Sequence, residues 1–167
     1  YTIKPDEMIR VMVASLQDFM GDSLLVRAEE LGFDAHHLLT FASLIEAETA
    51  DRREMPVISS VFHNRIKRNM LLQCDPTVIY ALGGLDRPLY RRDLKFDSPY
   101  NTYVYKGLPP GPINSPGKQA ILASLYPDDT DYLFFVADVT GEHIFSKTNA
   151  QHNKARQEIK ARRRAMK

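Results

Sequence analysis

Two glutamates close a strongly apolar stretch of the chain. Glu46 and Glu48 follow residues 38–45, which are almost entirely apolar or small. A helix that is apolar on all sides is typically buried, and a carboxyl group desolvated at its end keeps its proton near neutral pH. Such a proton-bearing acid is what cleavage of a glycosidic bond requires. The alternative is that both acids are solvated, or pair with Arg52 or Arg53, as acids at helix ends commonly do.

A helical wheel places the two glutamates on different sides of the helix, but it does not decide which of them is the candidate acid. Residues two positions apart point about 200° away from each other, so the two carboxyl groups cannot face one site together. Glu46 shares its side of the helix with small residues such as Ala42 and Ala50, whereas Glu48 lies on the side of Phe41. The smaller neighbours leave more room for a sugar beside Glu46.

Polar and aromatic side chains further along could line a sugar-binding cleft. Gln73 and Asp75 lie at the start of a predicted short helix, and Asn101, Thr102 and Tyr103 precede a proline-rich segment. Amides, hydroxyls and aromatic faces suit a carbohydrate, which offers hydroxyls on its edges and C–H groups on its faces. Two structural alternatives stay open: Asp75 caps the helix that follows it, and the polar groups of residues 101–103 satisfy their own backbone.

Metal and nucleic-acid chemistry have little support in the composition. The five histidines are scattered and the single cysteine is Cys74, so no ligand spacing emerges and we expect neither a metal nor a cofactor. The net charge of +1 gives no field that would attract nucleic acid. The basic run at residues 160–164 indicates a solvated face or attraction to an anionic surface rather than nucleic-acid recognition, and a DNA-associated domain would depend on this run alone.

The predicted elements are mostly helical. Four prolines and three glycines between residues 100 and 117 exclude regular structure and predict a stiff loop, expected to form one wall of a groove. Because helices come first and a hairpin comes late, the predicted class is α+β with a small antiparallel sheet. Residues 1–167 are expected to form one domain, with 1–34 as a helical lead-in. We predict helices over about 5–20, 23–31, 35–49, 51–68, 77–82 and 118–126, strands over 132–137 and 143–146, and a basic helix from residue 150.

A collinear series of motifs resembles a known family. The first motif is Ala-Ser-Leu-Ile-Glu-Ala-Glu-Thr at residues 42–49, and the others follow in order at 61–65, 70–80, 100–103, 107–113, 115–117, 132–137 and 152–153. Each is short, but the ordered set is specific to the YceG-like endolytic murein transglycosylases (MltG). This chain departs from the family pattern at Ala47, where a lysine is common, and at Cys74, where a threonine is common.

The resemblance implies an activity and a catalytic residue. Family members cut nascent glycan strands of peptidoglycan between N-acetylmuramic acid and N-acetylglucosamine and leave a 1,6-anhydromuramoyl end. The catalytic glutamate of the family maps onto Glu46, and a lysozyme-like helical core is expected around it. Candidates for binding the glycan are Ser43, Gln73, Asp75, Asn101, Thr102 and Tyr103. The competing hypotheses are a hydrolytic muramidase with Asp75 or Glu48 as second carboxylate, and a non-catalytic glycan-binding module.

The resemblance also implies a cellular setting. Family members have one N-terminal transmembrane helix, often followed by a small LysM-like module, and both would lie upstream of this chain. The expected location is the cytoplasmic membrane, with the catalytic domain on its periplasmic or extracellular side. The expected partners are peptidoglycan glycan strands, with the cell-wall synthesis machinery as a further candidate and no nucleic acid.

Overall fold

The helices and strands follow the order expected from the sequence. A computed structural model describes residues 4–166, within which the chain forms seven α-helices, one turn of 3-10 helix at Asp93–Lys95 and one two-stranded antiparallel sheet. The elements are α1 Pro5–Phe19, α2 Asp22–Glu30, α3 Ala35–Glu48, α4 Met55–Lys67, α5 Asp75–Ala81, α6 Lys118–Leu125, β1 Phe134–Ala137, β2 His143–Ser146 and α7 Asn149–Ala165. The predicted α+β class is confirmed.

Helix α3 is the centre of the core. Asp34 caps its first turn by accepting a hydrogen bond from the backbone N–H of His37 at 2.7 Å. The helix packs against α4, α5 and α6, and most of its apolar side chains are removed from solvent. Burial of one such side chain stabilises the fold by about 1.5–3 kcal/mol. The fully or almost fully buried apolar residues of α3 are Leu38, Phe41, Ala42, Leu44 and Ile45.

The sheet and the last helix form a second layer. Strands β1 and β2 pair antiparallel, with Phe134 opposite Ser146 and Ala137 opposite His143. The turn between them closes at Gly141, whose φ of +91° favours glycine. Helix α7 packs against both strands and begins with a capping box formed by Thr148 and Gln151.

Two predicted boundaries are wrong for the same reason. Helix α4 begins at Met55 rather than at Asp51, because the backbone N–H of Asp51 is held by the Thr49 hydroxyl and that of Arg53 by the Asp51 carboxylate. Strand β1 begins at Phe134 rather than at Tyr132, because the Asn64 amide occupies the carbonyl of Tyr132. Local side-chain hydrogen bonds of this kind override periodicity.

The N-terminal lead-in leaves apolar surface uncovered. None of the residues of α1 is buried, and five apolar side chains on it are about half exposed: Met8, Ile9, Val11, Met12 and Val13. Between residues 4 and 166, no helix combines the length and the apolar character needed to cross a bilayer.

Candidate active site

The proline-rich segment lies along one side of α3 and runs in the same direction as the helix. The His36 ring donates from Nε2 to the carbonyl of Pro110 at 2.7 Å. About two turns further along α3, Ser43 Oγ accepts the backbone N–H of Ile113 at 3.0 Å. Positions 36 and 43 are seven residues apart and therefore share a face of the helix. The predicted stiff loop is thus fastened to α3 from its first turn onward.

Glu46 lies where this loop ends. Its carboxyl group is half-buried at the last turn of α3, and Oε2 accepts the backbone N–H of Gly117 at 3.1 Å. Gly117 occupies the N-cap position of α6, so this N–H belongs to the positive end of that helix. Among the hydrogen bonds of residues 4–166 this is the one that reaches the Glu46 carboxyl, and none of them involves Oε1.

The approach of Gly117 to Glu46 leaves room for a small side chain at position 117. A Cβ atom there would lie 3.4 Å from Oε2 of Glu46, which is the near limit of ordinary contact. Lys118, the next residue, lines a cavity of about 660 Å³ between α6 and α1. Glu46 is not part of the lining of this cavity. The cavity makes the start of α6 a concave part of the surface.

A second group of candidate residues meets at the start of α5. The Tyr103 hydroxyl donates a hydrogen bond to Oδ1 of Asp75, and the backbone N–H of Gln73 donates to the carbonyl of Thr102 at 3.0 Å. Gln73 and Asp75 are exposed. Cys74 rather than Asp75 holds the N-cap position of α5, so the expectation that Asp75 merely caps this helix is wrong.

The other three candidates for glycan binding lie beneath the surface. Asn101 is completely buried, and its amide donates to the carbonyls of Leu94 at 3.1 Å and Phe96 at 2.7 Å. Thr102 is 2% exposed and Ser43 is completely buried. These placements are at odds with direct contact between sugar and Asn101, Thr102 or Ser43. Their hydrogen bonds fix the loops that carry Tyr103 and Gly117.

The sequence did not indicate that Glu48 is the carboxyl group whose pKa is raised most. Burial, followed by the negative charge of Asp75, raises the pKa of Glu48 to about 7, although the Cys74 thiol, His143 and Arg65 act against the rise. Cys74 is completely buried. Both glutamates were visible in the sequence, but the burial of Glu48 depends on tertiary packing of α3, which includes its contact with α5.

The motif at residues 61–65 is structural. Arg65 is 6% exposed and donates to the carbonyls of Leu133 and Leu72, both at 2.6 Å. His63 donates to the carbonyl of Ser124 at 2.9 Å. These bonds join α4 to the residue that precedes β1, to the segment before α5 and to α6. Across residues 4–166 no group of three or more histidine, cysteine, aspartate or glutamate side chains is placed to hold a metal ion.

Together these features define a mostly helical α+β domain in which the Glu46 carboxyl lies where the end of α3 meets the start of α6. The chain belongs to the YceG-like family, whose model matches residues 1–158. This match extends beyond both ends of the motif series, which begins at residue 42 and ends at residue 153.

Curated relatives and a solved structure agree with this assignment. The chain is 44% identical over 153 residues to the endolytic murein transglycosylase of Bacillus subtilis (strain 168), covering 91% of this chain and 42% of that protein. It is 36% identical over 151 residues to the endolytic murein transglycosylase of Streptococcus pneumoniae serotype 2 (strain D39 / NCTC 7466), covering 87% of this chain and 26% of that protein. The chain therefore spans less than half the length of these relatives.

The fold also matches a crystal structure. A YceG-like protein from Listeria monocytogenes superposes with a TM-score of 0.83 at 40% sequence identity. The match covers 93% of this chain and 52% of that one. The similarity therefore includes nearly all of the elements described above.

Proposed function

We propose that this chain is the catalytic domain of an endolytic peptidoglycan lytic transglycosylase, with Glu46 as its acid and then its base. The observation that carries the proposal is the half-buried Glu46 carboxyl, held at Oε2 by the N–H of Gly117. Membership of the YceG-like family and similarity to proteins named endolytic murein transglycosylase support the same activity.

The proposed reaction uses one carboxyl group twice. Protonated Oε1 of Glu46 gives its proton to the glycosidic oxygen between N-acetylmuramic acid and N-acetylglucosamine as that bond breaks. The resulting carboxylate accepts the proton of the muramic acid C6 hydroxyl, and the C6 oxygen bonds to the anomeric carbon. The product has a 1,6-anhydro ring and no water is consumed.

An internal nucleophile explains why one carboxyl group suffices. Hydrolytic glycosidases use a second carboxylate as base or nucleophile. Here the C6 hydroxyl of the substrate is already held close to the anomeric carbon, which replaces the positioned water or enzyme nucleophile. The exposed Gln73, Asp75 and the half-buried Tyr103 are the proposed contacts to the glycan.

We extend the proposal to the setting of the whole protein. The curated relatives are more than twice as long as the matched region, which leaves room for an anchor and a further module. We infer a single-pass attachment to the cytoplasmic membrane, with this domain on the periplasmic or extracellular side. The substrate is nascent peptidoglycan, and the cell-wall synthesis machinery is the proposed partner.

Digestion of purified sacculi tests the activity. The wild-type chain should release fragments with anhydromuramoyl ends, which are one water lighter than hydrolysed ends by mass spectrometry. Glu46→Gln should release none, while the exposed control Glu29→Gln should match the wild type. Hydrolysed ends would replace the proposal with a muramidase. Binding of glycan strands without cleavage by the wild type would replace it with a binding module.

A further inference from the structure

Two tyrosine rings meet at the surface near the end of α5. Tyr80 lies in the last turn of α5 and Tyr100 in the segment before the proline-rich loop, with ring centroids 4.9 Å apart and ring planes inclined by 46°. Tyr80 is 46% exposed and Tyr100 is half-buried. The backbone N–H of Tyr100 donates to the Ser98 hydroxyl at 3.3 Å, which leaves the phenol hydroxyl available. Contact between the rings therefore holds an exposed aromatic face in place.

The two segments that carry these tyrosines also carry proposed contacts to the glycan. Asp75 is the first residue of α5, and it accepts the hydroxyl of Tyr103, three residues after Tyr100. The segments are therefore joined twice, by the bond between Asp75 and Tyr103 and by the contact between Tyr80 and Tyr100. Along α5 the two joints are about 7.5 Å apart, at about 1.5 Å per residue. The tyrosine pair thus continues the surface that begins at Asp75 and Tyr103.

The tyrosine pair also reaches the proline-rich loop where the loop is attached to the start of α3. A Cβ atom built on Gly111 would lie 3.3 Å from the Tyr100 hydroxyl and 3.5 Å from the His36 ring. The preceding carbonyl, that of Pro110, is bonded to His36 Nε2 at 2.7 Å. Gly111 is buried, whereas His36 and Pro110 are exposed. Tyr100 and His36 therefore cover the loop at this point, and the tyrosine pair lies beside the first turn of α3.

The loop leads from this point to the candidate acid. Its attachments to α3 run from position 36 to position 46, and ten residues correspond to about 15 Å along a helix axis. This distance is longer than a disaccharide of an extended glycan strand. A strand that is cleaved at Glu46 and follows the loop would therefore bring a more distant sugar ring to Tyr80 and Tyr100.

We propose that Tyr80 and Tyr100 form a second sugar-binding site, which holds the glycan strand at a distance from the bond that is cleaved. The C–H face of a sugar ring stacks on the exposed ring of Tyr80, and a sugar hydroxyl bonds to the Tyr100 hydroxyl. Tyrosine suits this task, because it offers a rigid contact surface and loses little conformational entropy on binding. The inference rests on the proposed function, because its ligand is the strand that Glu46 would cleave.

Binding is measured in the Glu46→Gln background, which removes cleavage. The probe is peptide-free glycan strands prepared from sacculi, titrated by calorimetry. Tyr80→Ala in this background should weaken binding by at least about five-fold, the loss expected when an anchoring aromatic residue is truncated. Tyr80→Phe keeps the ring and should bind as tightly as the Glu46→Gln protein. The control Tyr126→Ala removes a ring that is 50% exposed at the end of α6, and it should leave the affinity unchanged.

Kinetics of the chain with Glu46 intact test whether the site is remote from the chemistry. A contact that is equally strong in the bound substrate and in the transition state affects KM and leaves kcat unchanged. Tyr80→Ala should therefore raise the KM for glycan strands by at least about five-fold with the same kcat. A lower kcat at unchanged KM would place Tyr80 in the catalytic step and overturn the inference.

Direct contact is measured without truncating either tyrosine. NMR of the Glu46→Gln protein with labelled tyrosine rings should show that the resonances of Tyr80 and Tyr100 shift when glycan strands are added. Each resonance is assigned by its absence from the corresponding Tyr→Phe variant. The Tyr126 resonance serves as the control and should stay in place.

The outcomes separate this inference from the proposed function. Unchanged strand binding by Tyr80→Ala, or an equal loss in Tyr80→Phe or Tyr126→Ala, would overturn the second site and leave the catalytic proposal intact. So would a change in self-association of Tyr80→Ala in sedimentation with strand binding unaltered, which would assign the pair to an interface between copies of the chain. Failure of the Glu46→Gln protein to bind strands, or cleavage that survives Glu46→Gln, would instead overturn the proposed function itself.

Discussion

The backbone N–H of Gly117 points at Oε2 of Glu46 across 3.1 Å, although the two residues are 71 positions apart. The donor comes from the last residue of the proline-rich segment and the acceptor from the last turn of the buried helix. Their meeting places the carboxyl at the positive end of α6, where a backbone donor holds one oxygen without the entropic cost of ordering a side chain.

Removal of this donor should impair cleavage. Gly117→Pro eliminates the N–H, while the φ of −77° suits proline. Because the ring carbon takes the place of the hydrogen, the Glu46 carboxyl must move, and displacement of a catalytic group by about 1 Å costs about 100-fold in rate. The measurement is the rate of release of anhydromuramoyl ends from sacculi. Gly117→Ala retains the donor and should stay close to wild type; equal rates for both variants would show that the bond does not position Glu46.

Loss of the Ser43 hydroxyl should loosen the proline-rich loop. Ser43→Ala leaves the N–H of Ile113 without its partner, and an unsatisfied buried donor costs about 1–3 kcal/mol. Urea denaturation monitored by circular dichroism should give this reduction in the free energy of unfolding. The control Ser23→Ala changes an exposed hydroxyl and should remain within about 0.5 kcal/mol of wild type. A Ser43→Ala protein as stable as the wild type would mean that the bond between Ser43 and Ile113 does not hold the loop.

Asn101 should matter for stability more than for sugar binding. Asn101→Ala removes donors to the carbonyls of Leu94 and Phe96 and an acceptor for the N–H of Tyr103. With three partners left unpaired, we expect a loss of about 3 kcal/mol or more, measured as a shift of the urea midpoint. The exposed control Asn153→Ala should change little. A variant that folds as stably as wild type but fails to bind glycan would restore direct contact between Asn101 and sugar.

Low pH should remove the stabilisation that the Asp93 carboxylate gives to the surrounding segment. Hydrogen bonds from Arg87, and then the backbone N–H of Tyr90, lower the pKa of Asp93 to about 2. A carboxylate whose pKa is lowered by folding stabilises the protein above its ordinary pKa, and this contribution disappears as the pH falls from about 4 towards 2. The free energy of unfolding of Asp93→Asn and of the wild type is measured in urea at pH 7, 4 and 2. The variant should be less stable than the wild type at pH 7, and this difference should disappear by pH 2. The exposed control Asp86→Asn should show no such trend, and a constant gap for Asp93→Asn would contradict the assignment.

Apolar periodicity and capping residues were sufficient to predict the helices of the fold. The apolar run in α3, with Asp34 before it, marks a buried helix whose cap is confirmed by the bond to His37. The start of α4 was misplaced because Thr49 and Asp51 hold a turn through their own side chains. Such bonds depend on local geometry and leave no periodic trace.

The candidate site was only partly accessible from the sequence. Residue type shows that Asn101 and Thr102 are polar, but it does not show that both are buried. Their burial depends on tertiary partners, which are the carbonyls of Leu94 and Phe96 for Asn101 and the Thr77 hydroxyl for Thr102. The raised pKa of Glu48 arises first from burial and then from the negative charge of Asp75, and both depend on how the fold packs the end of α3. Position 46 could be singled out by its motif, and its catalytic role stays a proposal.

The loop is attached to α3 at His36, Ser43 and Glu46, and these attachments fix the length of the peptide between them. Each fastening fixes how many residues can separate it from the next. An insertion or deletion of one residue between Pro110 and Gly117 would carry the start of α6 past the carboxyl, even though every side chain were kept. Homologous domains should therefore vary the composition of this stretch more readily than its length.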